Sequence, residues 1–348
     1  MTRRRVRIIG AGLIGASIAL RLRELGDEVE IDDLNPQRAE LAGDLLGGKG
    51  RIRDPEMIIV ATPPTSILPV LQEQFALYPN AIFIDVASVK TKLHVELESF
   101  PELKKRFVST HPIAGRETGG VESAQSDLFM GRAWILLAEE TPLSNQVSEL
   151  IRELGATPYR MAPLDHDRLF AAISHLPQLL SIALANSLEP LDDGVELAGQ
   201  GLRDMTRLAG SNGKLWSEIL LANRGEVLTA LGSFDRELEF LKSALETDAV
   251  DQVIELFDRG NRQRNRLTGK HGARAREYSY LNIVIDDRPG QLAALFNECG
   301  AIGANVEDLS LEHSPQQETG LIRLALSEND AANLHEHLIS MGWKAHRA

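Results

Sequence analysis

Through the first 160 or so residues, short apolar runs alternate with stretches whose apolar positions recur every three or four residues. The runs predict strands over residues 5–9, 28–31, 57–62 and 81–86, with others near 106–111, 133–138 and 156–161. The intervening stretches predict helices, the first over 16–25, stopping at Gly26. Such alternation is the pattern of a doubly wound, mostly parallel sheet covered by helices on both faces. From Pro163 the periods become helical throughout. A helix opens at Asp165-His166-Asp167 and runs to Leu188, and Pro177 inside it should kink it and free a carbonyl. Residues 216–267 carry more apolar helix face than a small domain needs, which suggests that the chain dimerises there. The last stretch reads strand, helix, strand, strand, helix, with room for a short strand over 344–347, and this is a ferredoxin-like split βαβ order. The expected organisation is therefore an α/β dinucleotide-binding domain (1–162), an all-helical domain with a basic linker (163–276) and a small α/β module (277–348).

The first strand runs into Gly10-Ala11-Gly12-Leu13-Ile14-Gly15, and a helix follows. In that setting Gly10 makes a tight turn, Gly12 admits a pyrophosphate, and Gly15 lets helix and strand pack closely. The helix start at Leu13 and Ile14 offers free N–H groups to the phosphates. The second strand ends in Asp32-Asp33, about twenty residues further on, where a carboxylate accepts the ribose hydroxyls of NAD and repels the extra phosphate of NADP. Asp33 is the better candidate because it begins the turn that leaves the strand. The strand over 57–62 ends at Thr62-Pro63, beside the expected path of the nicotinamide half.

Further candidates fall at other strand ends. His111 follows an apolar strand and precedes Pro112 and a loop with three glycines, Gly115, Gly119 and Gly120. A neutral imidazole there is placed to take a proton near pH 7; the plainer reading is a histidine that caps a strand. Ser88 and Lys90 lie beyond the strand over 81–86, where Ser88 could face a ligand or cap the next helix. In the helical region His175 and Gln178 share a face beside Pro177, as a lined cavity or as satisfied core groups. Arg203 and Arg207, four apart, suit a dicarboxylate, with Asp204 and Ser211 to orient them; salt bridges between helices are the plainer reading.

Composition narrows the partners. The 348 residues carry a formal net charge of −13, which argues against nucleic acid or an anionic membrane surface. The basic run between Arg259 and Arg276 contains no aromatic residue and reads as a solvated linker. A single cysteine, Cys299, excludes a disulfide framework and a thiolate metal site, and no metal is expected. With no signal peptide or membrane span evident, the expected compartment is the cytoplasm.

Taken together, the chain resembles the prephenate/arogenate dehydrogenase family with a C-terminal ACT domain. The resemblance is carried by Gly10 to Gly15, Asp85 to Lys90, His111-Pro112-Ile113-Ala114-Gly115-Arg116-Glu117, Ser174-His175-Leu176-Pro177, and Arg203 to Arg207 with Trp216. It implies an NAD-dependent enzyme acting on prephenate or arogenate. His111 would be the base at the C4 hydroxyl and Ser88 its hydrogen-bonding partner. Arg207 would bind the ring carboxylate, with Arg203, His175 and Gln178 around it. Gln178 departs from the histidine that many prephenate-using members carry there. A neutral amide cannot become cationic, and it is compatible with the ammonium of arogenate. Asp287-Arg288-Pro289-Gly290 and Asn305-Val306 resemble the ACT ligand loop and second strand, which implies tyrosine as an effector bound by Asp287, Pro289, Gly290 and Asn305. Two rivals stand beside this reading: a β-hydroxyacid or imine dehydrogenase, and a non-catalytic sensor of NAD and amino acids.

Overall fold

The computed structural model describes residues 3–48, 50–115, 119–191, 194–267, 278–313 and 319–347. Arg116, Glu117 and Thr118 of the loop after His111, and Lys270, Arg274 and Arg276 of the basic run, lie outside them. The chain forms two compact units, Met1–Glu239 and Phe240–Ala348.

In the first unit, β1 (Arg5–Ile9), β2 (Glu28–Asp32), β3 (Met57–Val60), β4 (Ile82–Asp85), β5 (Phe107–Pro112), β6 (Ala133–Leu136) and β7 (Thr157–Arg160) form one sheet. Its order is β2-β1-β3-β4-β5-β6-β7, and every pair is parallel except β5 with β6. Between the strands lie α1 (Leu13–Glu24), α2 (Pro36–Leu45), α3 (Ile67–Leu77), α4 (Thr91–Leu97), α5 (Pro101–Lys104) and α6 (Pro142–Glu153). All four residues of β3 are buried, as are all four of β4, which is why β3 reads as an unbroken apolar run and β4 as one up to Asp85. Side chains alternate between faces, so β3 divides two cores. Met57 and Ile59 join Ile18, Leu22, Val147 and Ile151, whereas Ile58 and Val60 join Ile67, Leu71, Leu93 and Leu103. Each such fully buried side chain contributes about 1.5–3 kcal/mol. Strand order reverses between β1 and β3, and the crevice outside their carboxyl ends is where a doubly wound sheet binds ligands.

The strand expected near 106–111 extends one residue further: β5 runs through His111 and Pro112, which pair with Ile135 and Trp134 of β6. As the last strand residue, Pro112 has no ladder bond to lose beyond it.

The helical part begins with α7 (Pro163–Phe170), a π turn over Ala171–His175, and α8 (Leu176–Asn186). The break expected at Pro177 is thus taken up by the π turn, and the proline falls in the first turn of α8, where a missing N–H costs little. By length and composition Pro163–Asn186 is apolar enough to cross a bilayer. Its buried members include the polar His166, Asp167, His175 and Gln178, all 2% exposed or less. Next come α9 (Gln200–Thr206), a 3-10 turn over Arg207–Gly210, α10 (Gly213–Ala222), α11 (Arg224–Glu246) and α12 (Val250–Arg264).

In the second unit, β8 (Ser279–Asp286), α13 (Gln291–Ala301), β9 (Asp308–His313), β10 (Thr319–Leu326), α14 (Glu328–Ser340) and β11 (Lys344–Arg347) follow in order. Their antiparallel sheet runs β11-β8-β10-β9. Leu281, Ile283 and Ile285, every second residue of β8, meet Leu295 and Cys299 of α13 and Leu334 and Leu338 of α14 in one core.

Candidate active site

The turn from β1 into α1 has no room for side chains at two of its glycines. Gly10 has φ +109°, and a Cβ there would strike the Ala61 carbonyl. A Cβ on Gly15 would strike the Gly10 carbonyl. Gly12 is different: a Cβ would meet nothing within 4 Å, so its exposed side is open to a ligand. Gly12 is also the N-cap of α1 and makes no side-chain cap bond, which leaves the first amides of the helix, at Leu13 and Ile14, for an anion.

Asp33 sits under this turn. Its Oδ2 accepts from the Ala11 N–H at 2.8 Å and its Oδ1 from the Asn35 N–H at 2.8 Å. A carboxylate has about four lone-pair sites, so acceptor capacity remains for ribose hydroxyls. Across the crevice, Thr62 follows β3, and its buried Oγ1 has no hydrogen-bond partner among the described residues. An open Gly12, free helix amides and an orphaned hydroxyl beyond β3 fit a dinucleotide lying across the β1/β3 edge. Pro63 caps the short turn Pro64–Ser66, which is tied to α10 by a 2.9 Å bond from Thr65 Oγ1 to Glu218.

At the end of β5, His111 is half-buried, and its Nδ1 lies 2.8 Å from His166 Nε2. His166, 0% exposed, lies 2.9 Å from Asp167 Oδ1 through its own Nδ1. Asp167 also accepts the backbone N–H groups of Lys90 at 3.0 Å and Thr91 at 2.7 Å, so it caps α4 from outside. Phe170 packs on both imidazoles, with centroids 4.9 Å from His111 and 4.4 Å from His166. Burial, then the charge of Lys90, then His166 and His175 hold His111 well below its ordinary pKa. Burial also lowers His166, against the pull of Asp167. For Asp167 burial acts upward, but the donors from His166, Thr91 and Lys90 outweigh it and leave the carboxyl below its usual range. Two neutral imidazoles therefore lean on one carboxylate.

Two expectations change here. No hydrogen bond joins Ser88 to His111; the imidazole's bond is made by His166 instead. Nor does Ser88 cap the next helix, because α4 begins at Thr91 with Lys90 at its N-cap. Ser88 remains at the carboxyl edge of β4, half-buried. Lys90 does not face a ligand either. It is 0% exposed, with Nζ 2.5 Å from Asp85 Oδ2 and bonded to the Thr110 carbonyl. Burial lowers its pKa and Asp85 opposes that shift. Asp85 further accepts from Ser109 Oγ at 2.7 Å, so this buried network pins the backbone that carries His111.

His175 and Gln178 are both 2% exposed. His175 Nδ1 accepts from Asn223 Nδ2 at 3.3 Å, and Asn223 also donates to the Asp167 carbonyl at 2.8 Å. Burial brings the His175 pKa down to about 4, so the ring is neutral and carries its proton on Nε2. Its edge meets Trp216 at 6.0 Å. Gln178 Nε2 donates to the Leu208 carbonyl at 2.7 Å, and its Oε1 accepts from Ser211 Oγ at 3.3 Å. Gln178 thus holds the turn beside Arg207. That turn is not a continuation of α9. Thr206 has φ −96° and ψ 0°, and the chain tightens to 3-10 geometry at Arg207. Arg203 and Arg207, both exposed, consequently do not share one uninterrupted helix face. The expected orienting role of Asp204 is replaced by a 2.8 Å bond from Gln200.

Three residues of this arrangement escaped the sequence reading: His166, Asp167 and Asn223. The first two looked like helix-opening residues, and only the break between α10 and α11 at Asn223 marked the third. In the second unit, Asp287 and Pro289 lie in the turn after β8, Gly290 has φ +91° and caps α13, and Asn305 donates to Glu307 at 2.8 Å.

Two consecutive family models match the chain. Residues 18–159 match "Prephenate dehydrogenase, nucleotide-binding domain", and residues 162–259 match "Prephenate dehydrogenase, dimerization domain". The chain belongs to the prephenate dehydrogenase family. Among its relatives is a probable prephenate dehydrogenase, NovF, of Streptomyces niveus, 28% identical over 97% of this chain and 98% of its own. The solved prephenate dehydrogenase of Aquifex aeolicus, in complex with hydroxyphenyl propionate and NAD+, superposes with a TM-score of 0.69 at 28% identity, covering 76% of this chain and 98% of that one. An arogenate dehydrogenase of Synechocystis gives 0.63 at 29% identity, over 74% and 98%.

Proposed function

We propose that the chain carries out the NAD-dependent oxidative decarboxylation of prephenate to 4-hydroxyphenylpyruvate, a step of tyrosine biosynthesis. The observation that carries the residue roles is the neutral, hydrogen-bonded His111 at the carboxyl edge of the sheet, in a chain of this family. The cofactor is NAD, and the residues offered to it are Gly10, Gly12, Leu13, Ile14, Gly15, Asp33, Thr62 and Pro63. When bound, NAD⁺ accepts the hydride from C4 of the substrate ring. His111 takes the C4 hydroxyl proton, and loss of the ring carboxylate as CO₂ then aromatises the ring. The same imidazolium returns its proton to the phenolate oxygen, so the base is regenerated without bulk water. Arg207 is assigned to the ring carboxylate, supported by Arg203 on the preceding turn, with His175 and Gln178 lining the substrate side and Ser88 at the same edge. Such charge-assisted contacts orient a dianion better than a lone ammonium does.

A second reading, arogenate dehydrogenase giving tyrosine directly, is favoured by Gln178, whose amide offers no cation to a keto-acid side chain. Steady-state NADH formation with each substrate decides between them: prephenate is expected to give the higher kcat/KM, and a preference for arogenate would reverse the assignment.

The strand order of the second unit supports a ferredoxin-like ACT module over 277–348, with tyrosine as effector at Asp287, Pro289, Gly290 and Asn305. The remaining divisions are taken at 1–162 and 163–276. A homodimer is proposed from the dimerization-domain match and from exposed Leu228, Leu245, Ile254 and Phe257. The working compartment is the cytoplasm, with no membrane or nucleic-acid partner.

A further inference from the structure

We propose that His166 and Asp167 are positioning residues that set which nitrogen of His111 is bare, leaving Nε2 as the proton acceptor. This rests on the reading of His111 as the base at the C4 hydroxyl. The Asp167 carboxylate fixes the polarity, because an ionised carboxylate only accepts hydrogen bonds. Asp167 accepts N–H bonds from Thr91 at 2.7 Å and Lys90 at 3.0 Å, and so can only accept from its third neighbour. At 2.9 Å, a bare Nδ1 on His166 would set lone pair against lone pair, so that nitrogen carries a proton. A neutral His166 then has a bare Nε2. That nitrogen lies 2.8 Å from His111 Nδ1, which must donate to it. The proton of neutral His111 is thereby placed on Nδ1, and its Nε2 lone pair is free. The chain of bonds runs Asp167 to His166 to His111 without a break.

The reverse polarity would disable the site. If Asp167 did not hold the proton on Nδ1 of His166, the Nε2–H of that ring would donate to His111 Nδ1. The His111 proton would then occupy Nε2, the nitrogen needed by the substrate. During turnover the C4 hydroxyl proton moves to His111 Nε2 while the Nδ1–H bond to His166 persists, and the imidazolium so formed faces an acceptor already polarised by a carboxylate. Among the described residues, the other charged and titratable groups acting on His111 are Lys90 and His175. Lys90 is committed to Asp85 and the Thr110 carbonyl, and His175 to Asn223, so neither competes for Nδ1.

The test compares His166→Gln, whose Oε1 can still accept from His111 Nδ1, with His166→Leu, which has no acceptor. For His166→Leu, kcat is expected to fall by about 10²–10³-fold with KM little changed, and the loss should persist above neutral pH, because the tautomer balance of a neutral imidazole does not depend on pH. His166→Gln should retain kcat within about tenfold. Equal rates in the two variants, or a near-normal His166→Leu, would overturn the proposal. A measurement on the wild-type protein stands whether or not the variants fold. Long-range ¹H–¹⁵N spectra of ¹⁵N-histidine-labelled protein, assigned with His111→Asn, should show protons on Nδ1 of both His111 and His166. A proton on His111 Nε2 would refute it. If wild-type protein turned over neither prephenate nor arogenate, the proposed function would fail, while the spectra would still decide the tautomer.

Discussion

An imidazole can act as a base only while its lone pair is unprotonated and unclaimed, and His111 meets both conditions through burial and through its bond to His166. Replacing it with asparagine removes the proton acceptor but keeps a polar group of similar size. For His111→Asn, kcat should fall by about 10²–10⁴-fold with KM nearly unchanged; near-normal turnover would contradict the role. Because His111 is held well below its ordinary pKa, log kcat/KM should rise with pH on an acid limb centred below 6.5 and be flat by neutrality. A midpoint above 7 would contradict it. His175 gives a stability effect of the same sign. Its folded pKa, about 4, lies below the ordinary value of 6.5, so the unfolded chain binds more protons between the two. Stability from this group is therefore complete above pH 6.5 and drains as pH falls toward 4, which melting temperatures across that window would register. At this scale His111 was legible, because a histidine between an apolar strand and a glycine loop is unusual. His166 was not, since it lies 55 positions away in sequence and looks like an ordinary helix opener.

Helix starts and strand ends place these side chains, and two of those features yield contrasting variants. Gly15→Ala would drive a Cβ into the Gly10 carbonyl, and such overpacking should cost about 1–3 kcal/mol of stability. Gly12→Ala meets nothing within 4 Å, so its melting temperature should be unchanged while NAD affinity drops roughly tenfold, or about 1.4 kcal/mol. Calorimetry and NAD titration of the pair separate fold from cofactor; equal stability losses would undo the distinction. Under β5, the Lys90–Asp85 pair is buried on both sides. Lys90→Met leaves a carboxylate uncompensated there and should destabilise the unit by about 3–5 kcal/mol, read by denaturant unfolding. The strands themselves were plain in the sequence because β3 is apolar on both faces and β4 is so up to Asp85. Two features were hidden: β5 continuing through Pro112, which needed the antiparallel partner β6, and the tightening at Thr206, which depends on Gln178 reaching Leu208 from another helix. Both come from contacts between elements, which local propensity does not encode.

For the whole molecule, the order of the sheets and helices was readable from periodicity, and the surplus apolar helix face over 216–267 pointed to dimerisation, in keeping with the dimerization-domain match; a regulatory ligand was not readable from periodicity, because it depends on surface residues rather than cores. If the C-terminal module binds tyrosine at Asp287 to Gly290, added tyrosine should lower activity or raise the melting temperature, and Gly290→Ala, strained at φ +91°, should abolish either effect. Tyrosine that alters neither quantity would leave that module a purely structural one. The decisive measurement is simpler and concerns the reaction itself: purified protein, NAD⁺ and prephenate, with NADH, CO₂ and 4-hydroxyphenylpyruvate quantified together. Expected are equal amounts of all three, formed at a rate that His111→Asn largely removes. NADH without CO₂, or no NADH from prephenate under conditions where NAD binding is demonstrated, would contradict the function proposed for this chain.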